Sequence, residues 1–173
     1  MKRNPIVITG FMGCGKSRVA RELAHRLNVS MIDLDDRITA QQGQTPAQLI
    51  SEAGETAFRI IETNTLRELL ETAEAGVIAL GGGAWIESTN RDLIGEYACV
   101  SVWLDAPFTL CWERILASAE DRPLGRTIEQ AEARYNFRKP IYALANIHIP
   151  VSRDENIDDL VTRIELEIPD ASG

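Results

Sequence analysis

The sequence predicts an α/β fold in which a central parallel sheet carries helices on both faces. Short apolar runs, typical of buried strands, alternate along the chain with segments of helical periodicity. The first run leads into a glycine-rich loop, and a helical pattern follows that loop directly. The chain has 173 residues and is 45% hydrophobic, which suits one domain with a single core.

The predicted elements follow each other in strand–helix order. Apolar runs predict strands at residues 6–8, 31–32, 77–80, 99–104 and 147–151. Spacing and capping residues predict helices over 16–27, 37–42, 47–52, 56–73, 107–116, 129–138 and 157–168, and a short one capped by Ser88 or Thr89 that ends at Ile94. Pro140 is expected to limit the helix over 129–138. Ligands are expected at the carboxyl ends of the parallel strands.

The glycine-rich loop reads G-x-x-x-x-G-K-S from Gly10 to Ser17. This is the phosphate-binding loop of P-loop nucleotide-binding proteins, in which glycines let backbone N–H groups close around a phosphate. Lys16 is predicted to reach the β- and γ-phosphates, and the Ser17 hydroxyl to ligate Mg²⁺. Cys14 is interpreted as a spacer that contributes its N–H. The alternative is a glycine-rich turn that matches the motif by chance. The predicted strand before the loop and the predicted helix after it disfavour this alternative.

Composition excludes several classes of function. The formal net charge of −8 disfavours a protein that coats nucleic acid. No apolar run approaches the roughly 20 residues of a membrane span, and the amino end resembles no signal peptide. The three cysteines fit no zinc spacing and make no even disulfide set. A reducing cytoplasm is therefore the expected location.

Two acids and three glycines follow predicted strands. Asp33 and Asp35 alternate after the second strand, so one could face Mg²⁺ and the other a substrate hydroxyl. A helix cap with solvated acids is the alternative. The glycines, after the third strand, suggest that something approaches the backbone closely, although a plain tight turn would also explain them. They are Gly81, Gly82 and Gly83.

Two arginines are candidates for binding a carboxylate. Arg59 lies in the first turns of a predicted helix, and Glu62, three residues later, is near enough to fix its guanidinium for bidentate capture. The alternative is an ordinary Arg–Glu ion pair on the protein surface. Arg138 ends a helix and could be a second carboxylate ligand, or simply a cation at a helix carboxyl end.

Three further arginines are candidates for the nucleotide side. Arg122 lies in a polar segment, residues 118–127, which could be a mobile lid that brings it onto a transferring phosphoryl group. Arg114 could stack on an adenine ring, and Arg153, before the last helix, is a weaker candidate. For all three, a solvated surface charge is the alternative.

Taken together, these motifs resemble those of the shikimate kinase family over nearly the whole chain. Their order is the P-loop at 10–17, D-x-D at 33–35, G-E-x-x-F-R-x-x-E at 54–62, G-G-G at 81–83, R-P-L at 122–124 and R-x-P-x-Y at 138–142. The resemblance implies a three-layer P-loop fold like that of nucleoside monophosphate kinases. It also implies that ATP, with Mg²⁺, phosphorylates the 3-hydroxyl of shikimate to shikimate 3-phosphate in aromatic amino-acid (chorismate) biosynthesis.

The resemblance further implies individual roles. The catalytic residues would be Lys16, Asp35 and Arg122. Shikimate would be bound by Asp35, Arg59, Gly81, Gly82, Gly83 and Arg138. ATP would be bound by Gly13, Cys14, Gly15, Lys16, Ser17, Arg18, Arg114, Arg122 and Arg153. Ser17 and, through water, Asp33 would hold Mg²⁺. A substrate-binding lobe is expected at about 35–66 and a lid at about 118–127, in a monomeric cytoplasmic protein without nucleic-acid or membrane partners.

The chain departs from the family pattern in its loops. Arg18 follows the P-loop serine where family members usually have threonine, and Gly125 follows Leu124 where the family lid usually continues R-P-L-L. The span from Arg122 to Arg138 is also somewhat short. Three other functions stay open at this point. They are a gluconate-kinase-like enzyme, a non-catalytic nucleotide-binding regulatory module, and an NTPase that acts without an acid substrate.

Overall fold

The computed structural model describes residues 4–118 and 127–169. Its strands are β1 (Ile6–Thr9), β2 (Met31–Asp33), β3 (Val77–Ala79), β4 (Val100–Asp105) and β5 (Ile147–Pro150). They pair in parallel, in the order β2-β3-β1-β4-β5. Because β1 lies in the middle of this order, the loop that follows it emerges at the centre of the sheet edge.

Helices lie around the sheet. They are α1 (Lys16–Leu27), α2 (Leu34–Gln42), α3 (Pro46–Ala53), α4 (Glu55–Thr72), α5 (Ser88–Glu96), α6 (Phe108–Ala117), α7 (Ile128–Tyr142) and α8 (Ile157–Glu167), with a short 3₁₀ helix at Ala84–Ile86. This architecture confirms the predicted three-layer α/β fold with a parallel sheet between helices. The 3₁₀ helix was not predicted, because three residues carry too little periodicity to identify it.

The core is built on the central strands. All four residues of β1 are buried, as are Val77, Ile78 and Ala79 of β3. Strands that are covered on both faces need apolar residues at successive positions rather than at alternate ones. This requirement explains why β1 and β3 appear in the sequence as continuous apolar runs. It also makes the rigid central strands the support for the loops that follow them.

Two predicted helix boundaries are wrong at their amino ends. Helix α2 begins at Leu34 rather than at residue 37, because the Asp33 carboxylate accepts a hydrogen bond from the Asp35 N–H at 3.0 Å and caps the helix. Helix α5 begins at Ser88 with Glu87 in the capping position and has no side-chain cap. Asp35 therefore lies in the first turn of a helix, not in a free turn.

The predicted end of the seventh helix is also wrong. Helix α7 passes through Pro140 and ends at Tyr142. A proline this close to the end removes only one late intrahelical hydrogen bond. The final turn is held by tertiary contacts: the Trp85 Nε1–H donates to the Ile141 carbonyl at 2.9 Å, and the Tyr142 ring is buried and stacked 6.3 Å from that of Trp103.

Within the two described ranges, no helix combines the length and apolar character needed to cross a membrane.

Candidate active site

The loop between β1 and α1 has the backbone shape of an anion cradle. Gly13 and Gly15 have φ angles of 77° and 101°, values that residues with a side chain rarely adopt. Gly15 precedes α1, so the first N–H groups of that helix open towards the loop. A helix amino end and a ring of N–H donors favour an anion at this position.

The ammonium group of Lys16 lies inside this loop. Its Nζ donates to the carbonyl oxygens of Gly10 at 3.0 Å and Phe11 at 3.1 Å, and the residue is buried. The Cys14 N–H donates to the Phe11 carbonyl at 3.2 Å, so it closes the turn of the loop. The loop therefore holds one positive charge at the centre of the sheet edge.

Ser17 and Asp33 form a pair of oxygen groups beside the loop. The Ser17 hydroxyl donates to Asp33 Oδ2 at 2.5 Å, which joins the start of α1 to the end of β2. Both are hard oxygen ligands of the kind that Mg²⁺ prefers. Arg18, the next residue, is exposed on α1.

A cavity of about 590 Å³ lies next to the loop. Its wall combines Met12 of the loop with residues from α2, α3, α4, α7 and the turn after β3. The predicted substrate residues Asp35, Arg59, Gly81, Gly82, Gly83 and Arg138 all line it. The cavity thus brings the Asp35 carboxylate and two arginines, which are far apart in the chain, to one site.

Asp35 packs against the backbone of the first of the three glycines. A Cβ on Gly81 would lie 2.5 Å from Asp35 Oδ1, which is closer than real Cβ contacts allow. The carboxylate is half-buried at the start of α2 and lines the cavity. The absence of a side chain at Gly81 therefore lets Asp35 occupy this position.

Arg59 is held by acidic residues around it. Its guanidinium pairs with Glu62 at 2.8 Å and Glu55 at 3.0 Å on its own helix, and Glu87 lies 3.9 Å away. Glu62 is almost completely buried, so this pair is shielded from solvent. These contacts fix the guanidinium plane at the cavity wall, as carboxylate capture requires.

Gly83 provides the space that Arg59 occupies. A Cβ at this position would fall within 3 Å of the Arg59 guanidinium carbon and of both terminal nitrogens. We expect Gly83→Ala to change the melting temperature little, because a flexible side-chain end can move, but to raise KM for an acid substrate about tenfold by displacing Arg59. Gly95→Ala is the matched control, because a Cβ at Gly95 would meet no described atom within 4 Å beyond its chain neighbours and its own helix backbone. Equal KM values for the two variants would contradict this role of Gly83.

Arg138 and Tyr142 hold the second glycine from the opposite side. Arg138 Nη1 donates to the Gly82 carbonyl at 3.1 Å, and the Tyr142 hydroxyl donates to the same oxygen at 2.5 Å. Arg138 is buried, with a relative exposure of 7%. Arg138 was predicted from the sequence, but the role of the Tyr142 hydroxyl was not. The motif R-x-P-x-Y could have indicated it, because its arginine and tyrosine are four residues apart and share a helix face.

Burial changes the protonation of Glu62. Removal from water raises the pKa of this carboxyl from its usual 4.5 to about 7, although the neighbouring Arg59 charge favours the ionised form. The folded protein therefore keeps a proton on Glu62 that the unfolded chain releases between these two pH values. Because the folded state binds more protons there, its stability falls as pH rises from about 4.5 to 7.

We expect Glu62→Gln to remove this pH dependence. Glutamine resembles the protonated acid, so the wild-type free energy of unfolding, measured relative to that of the variant, should decline between about pH 4.5 and 7. Urea unfolding at several pH values measures this difference. Glu71→Gln, an exposed change on the same helix, is the control. A constant difference between wild type and Glu62→Gln across this range would show that Glu62 does not titrate as described.

Of the remaining predicted nucleotide residues, Arg114 contacts the loop and Arg153 lies on the surface. Arg114 Nη1 donates to the Cys14 carbonyl at 3.2 Å, and the side chain is exposed beside the loop. Arg153 pairs with Glu113, at 2.7 Å for its Nη2, on the surface near α6. Arg122 and Gly125 lie outside the described residues.

One arginine near the cavity was not identified from the sequence. Arg134 lies on α7, four residues before Arg138, and Nη1 of its guanidinium is buried without a hydrogen-bond partner among the described residues. Its helical spacing from Arg138 was the only signal, since residues four apart share a helix face.

Comparison with known proteins assigns the family. A family model described as "Shikimate kinase" matches residues 12–169. The shikimate kinase of Ruegeria pomeroyi is 35% identical over 162 residues, 92% of this chain and 82% of that protein. The shikimate kinase of Caulobacter vibrioides is 38% identical over 156 residues, 86% of this chain and 74% of that protein.

A solved structure agrees with these sequence matches. Shikimate kinase from Acinetobacter baumannii, determined in complex with shikimate, superposes with a TM-score of 0.85 at 29% identity, over 95% of this chain and 92% of that one. The motif order, the cavity and these comparisons lead to one conclusion. The chain belongs to the shikimate kinase family.

Proposed function

We propose that this protein transfers the γ-phosphoryl group of ATP to the 3-hydroxyl of shikimate, yielding shikimate 3-phosphate for aromatic amino-acid biosynthesis. One observation carries the proposal: a single cavity beside the P-loop joins Asp35 to Arg59 and Arg138. A hydroxy acid needs cations for its carboxylate and an acceptor for its reacting hydroxyl. The family membership of the chain supports the same reaction.

The arginines are proposed to orient the acid. Arg59 is fixed by Glu62 and Glu55, and Arg138 by the Gly82 carbonyl, so neither guanidinium must reorganise before binding. A carboxylate held by two fixed arginines places the ring hydroxyl near Asp35, which would orient it and accept its proton late in the transfer. A strong base is not required when the transition state is loose. Most of the rate would come from positioning.

The P-loop is proposed to bind the phosphates. The N–H groups of Gly13 and of residues 15–18, together with the ammonium group of Lys16, would surround the phosphates, whereas the Cys14 N–H closes the loop on the Phe11 carbonyl. Lys16 would offset the developing charge of the transferred group. Arg114, exposed beside the loop, is available to stack on adenine. We retain Arg153 as a weaker contact and Arg122 as the proposed lid arginine over the phosphates.

Mg²⁺ is proposed as the cofactor, and the residues present fit it. Ser17 and Asp33 offer two oxygen groups beside the loop, one as a direct ligand and the other through water. Among residues 4–118 and 127–169, no cluster of three His, Cys, Asp or Glu side chains could hold a metal. That fits Mg²⁺, which usually relies on few protein ligands together with substrate phosphates. When bound, the ion would neutralise phosphate charge.

The wider organisation is also proposed rather than observed. We propose one kinase domain, with a substrate-binding lobe at about 35–66 and a lid at about 118–127. We further propose a monomer in the cytoplasm with no nucleic-acid partner. The net charge of −8 supports the absence of a nucleic-acid partner. The three cysteines, which are buried and free, support the cytoplasmic location.

A coupled ADP-release assay tests the function against its alternatives. With ATP and Mg²⁺, release should depend on shikimate and should not rise with gluconate, because a polyol pocket needs no pair of carboxylate-facing arginines. Release stimulated by gluconate would favour a gluconate-kinase-like enzyme. Release that is indifferent to both acids would indicate an NTPase, and no release from protein that binds ATP would indicate a regulatory module.

A further inference from the structure

At the acid end of the cavity, which Arg59 and Arg138 line, part of the positive charge is offset before any substrate binds. Arg59 already pairs with the carboxylates of Glu62 and Glu55. Arg138 donates to a neutral carbonyl, so it retains its charge. An incoming carboxylate would thus rely mainly on Arg138 if these two arginines acted alone. A third cation close to them would change this balance.

Arg134 is positioned to be that cation. It lies four residues before Arg138 on α7, so both side chains leave the helix on the same face. Within the described part of the chain, its Nη1 has no hydrogen-bond partner although the atom is buried. A buried guanidinium nitrogen without an acceptor is costly in a folded protein, and a negative charge that binds nearby would reduce this cost.

The electrostatic surroundings of Arg134 agree with this location. Burial lowers the pKa of its guanidinium, and the positive charges of Arg138 and Arg59 lower it further, whereas Glu55 acts in the opposite direction. Two of these groups, Arg59 and Arg138, line the cavity, and Glu55 pairs with Arg59. Three guanidinium groups that repel one another are unfavourable in the free protein, and binding of an anion would relieve this repulsion.

We infer that Arg134 is a third arginine of the substrate site, which adds positive charge behind Arg59 and Arg138 and so strengthens their attraction for the carboxylate of the acid substrate. This inference rests on the proposed function, because it takes the acid end of that same cavity as its site. Arg134 is a specificity-determining residue: it favours acids over their uncharged analogues. It takes no part in phosphoryl transfer itself.

Calorimetric titration with shikimate and with its uncharged methyl ester tests the inference directly. We expect Arg134→Gln to weaken shikimate binding about tenfold and to leave ester binding unchanged. Arg134→Lys, which keeps the charge, should retain most of the affinity. Arg67→Gln, an exposed change on α4, removes an equal charge away from the cavity and is the control.

Two further measurements separate this role from a structural one. Arg134→Gln should raise KM for shikimate with little change in kcat, and it should not lower the melting temperature of the free protein, because it removes a repelling charge. Unchanged shikimate affinity, or equal losses for acid and ester, would overturn the inference. Because binding is measured without turnover, a wild-type protein that binds shikimate but releases no ADP would disprove the proposed function alone.

Discussion

Replacing Lys16 with methionine should lower kcat for shikimate phosphorylation by about 10²- to 10³-fold, the usual cost of removing one group that stabilises transition-state charge. Methionine keeps most of the buried stem but removes the ammonium group, which lies inside the loop against the Gly10 and Phe11 carbonyls. KM for shikimate should change little, because Lys16 does not line the cavity that holds the acid.

Steady-state kinetics with a melting curve for each variant checks this expectation. Lys139→Met is the matched control: its ammonium lies 3.5 Å from Asp105 and is half-exposed, so the same substitution there removes an equal charge away from the phosphates. If Lys16→Met kept a kcat within a few-fold of the wild-type value, the proposed role of the loop lysine would be incorrect.

Replacing Arg59 with alanine should raise KM for shikimate by more than about 30-fold, because losing one partner of a buried charge pair costs about 2–5 kcal/mol of binding. KM for ATP should stay close to its wild-type value. The substitution also leaves Glu62 buried without its cation, which raises the pKa of this carboxyl further and removes a contact that stabilises the acid site.

Initial rates measured against each substrate in turn separate these effects. Arg67→Ala, two helical turns further along α4 and exposed, controls for loss of an arginine from the same helix. Arg59→Lys should recover only part of the affinity, since an ammonium group cannot make the paired contacts of a guanidinium. If Arg59→Ala left both KM values at their wild-type levels, Arg59 would not be a carboxylate ligand.

The residues that could be predicted from the sequence are those whose neighbours in the chain determine their position. Gly10 to Ser17 follows a buried strand and precedes a helix, so local rules predicted both the loop and its place at the sheet edge. The pairing of Arg59 with Glu62 followed from helical spacing in the same way. Their convergence with Arg138 on one cavity became an expectation only through the family resemblance.

Features set by tertiary contacts could not be predicted in this way. Helix α7 continues through Pro140 because contacts of Trp85 and Tyr142 hold its last turn. The raised pKa of Glu62 depends on burial that one helix cannot reveal. Arg134 belongs to no motif, and only its burial beside other arginines distinguishes it from a surface charge.

The most direct test of the central claim is to identify the product by ³¹P NMR. Wild-type protein with ATP, Mg²⁺ and shikimate should form one phosphomonoester of shikimate for each ADP, with little inorganic phosphate, because the phosphoryl group passes to the held hydroxyl. Formation of ADP with an equal amount of inorganic phosphate and no shikimate ester would contradict transfer to shikimate.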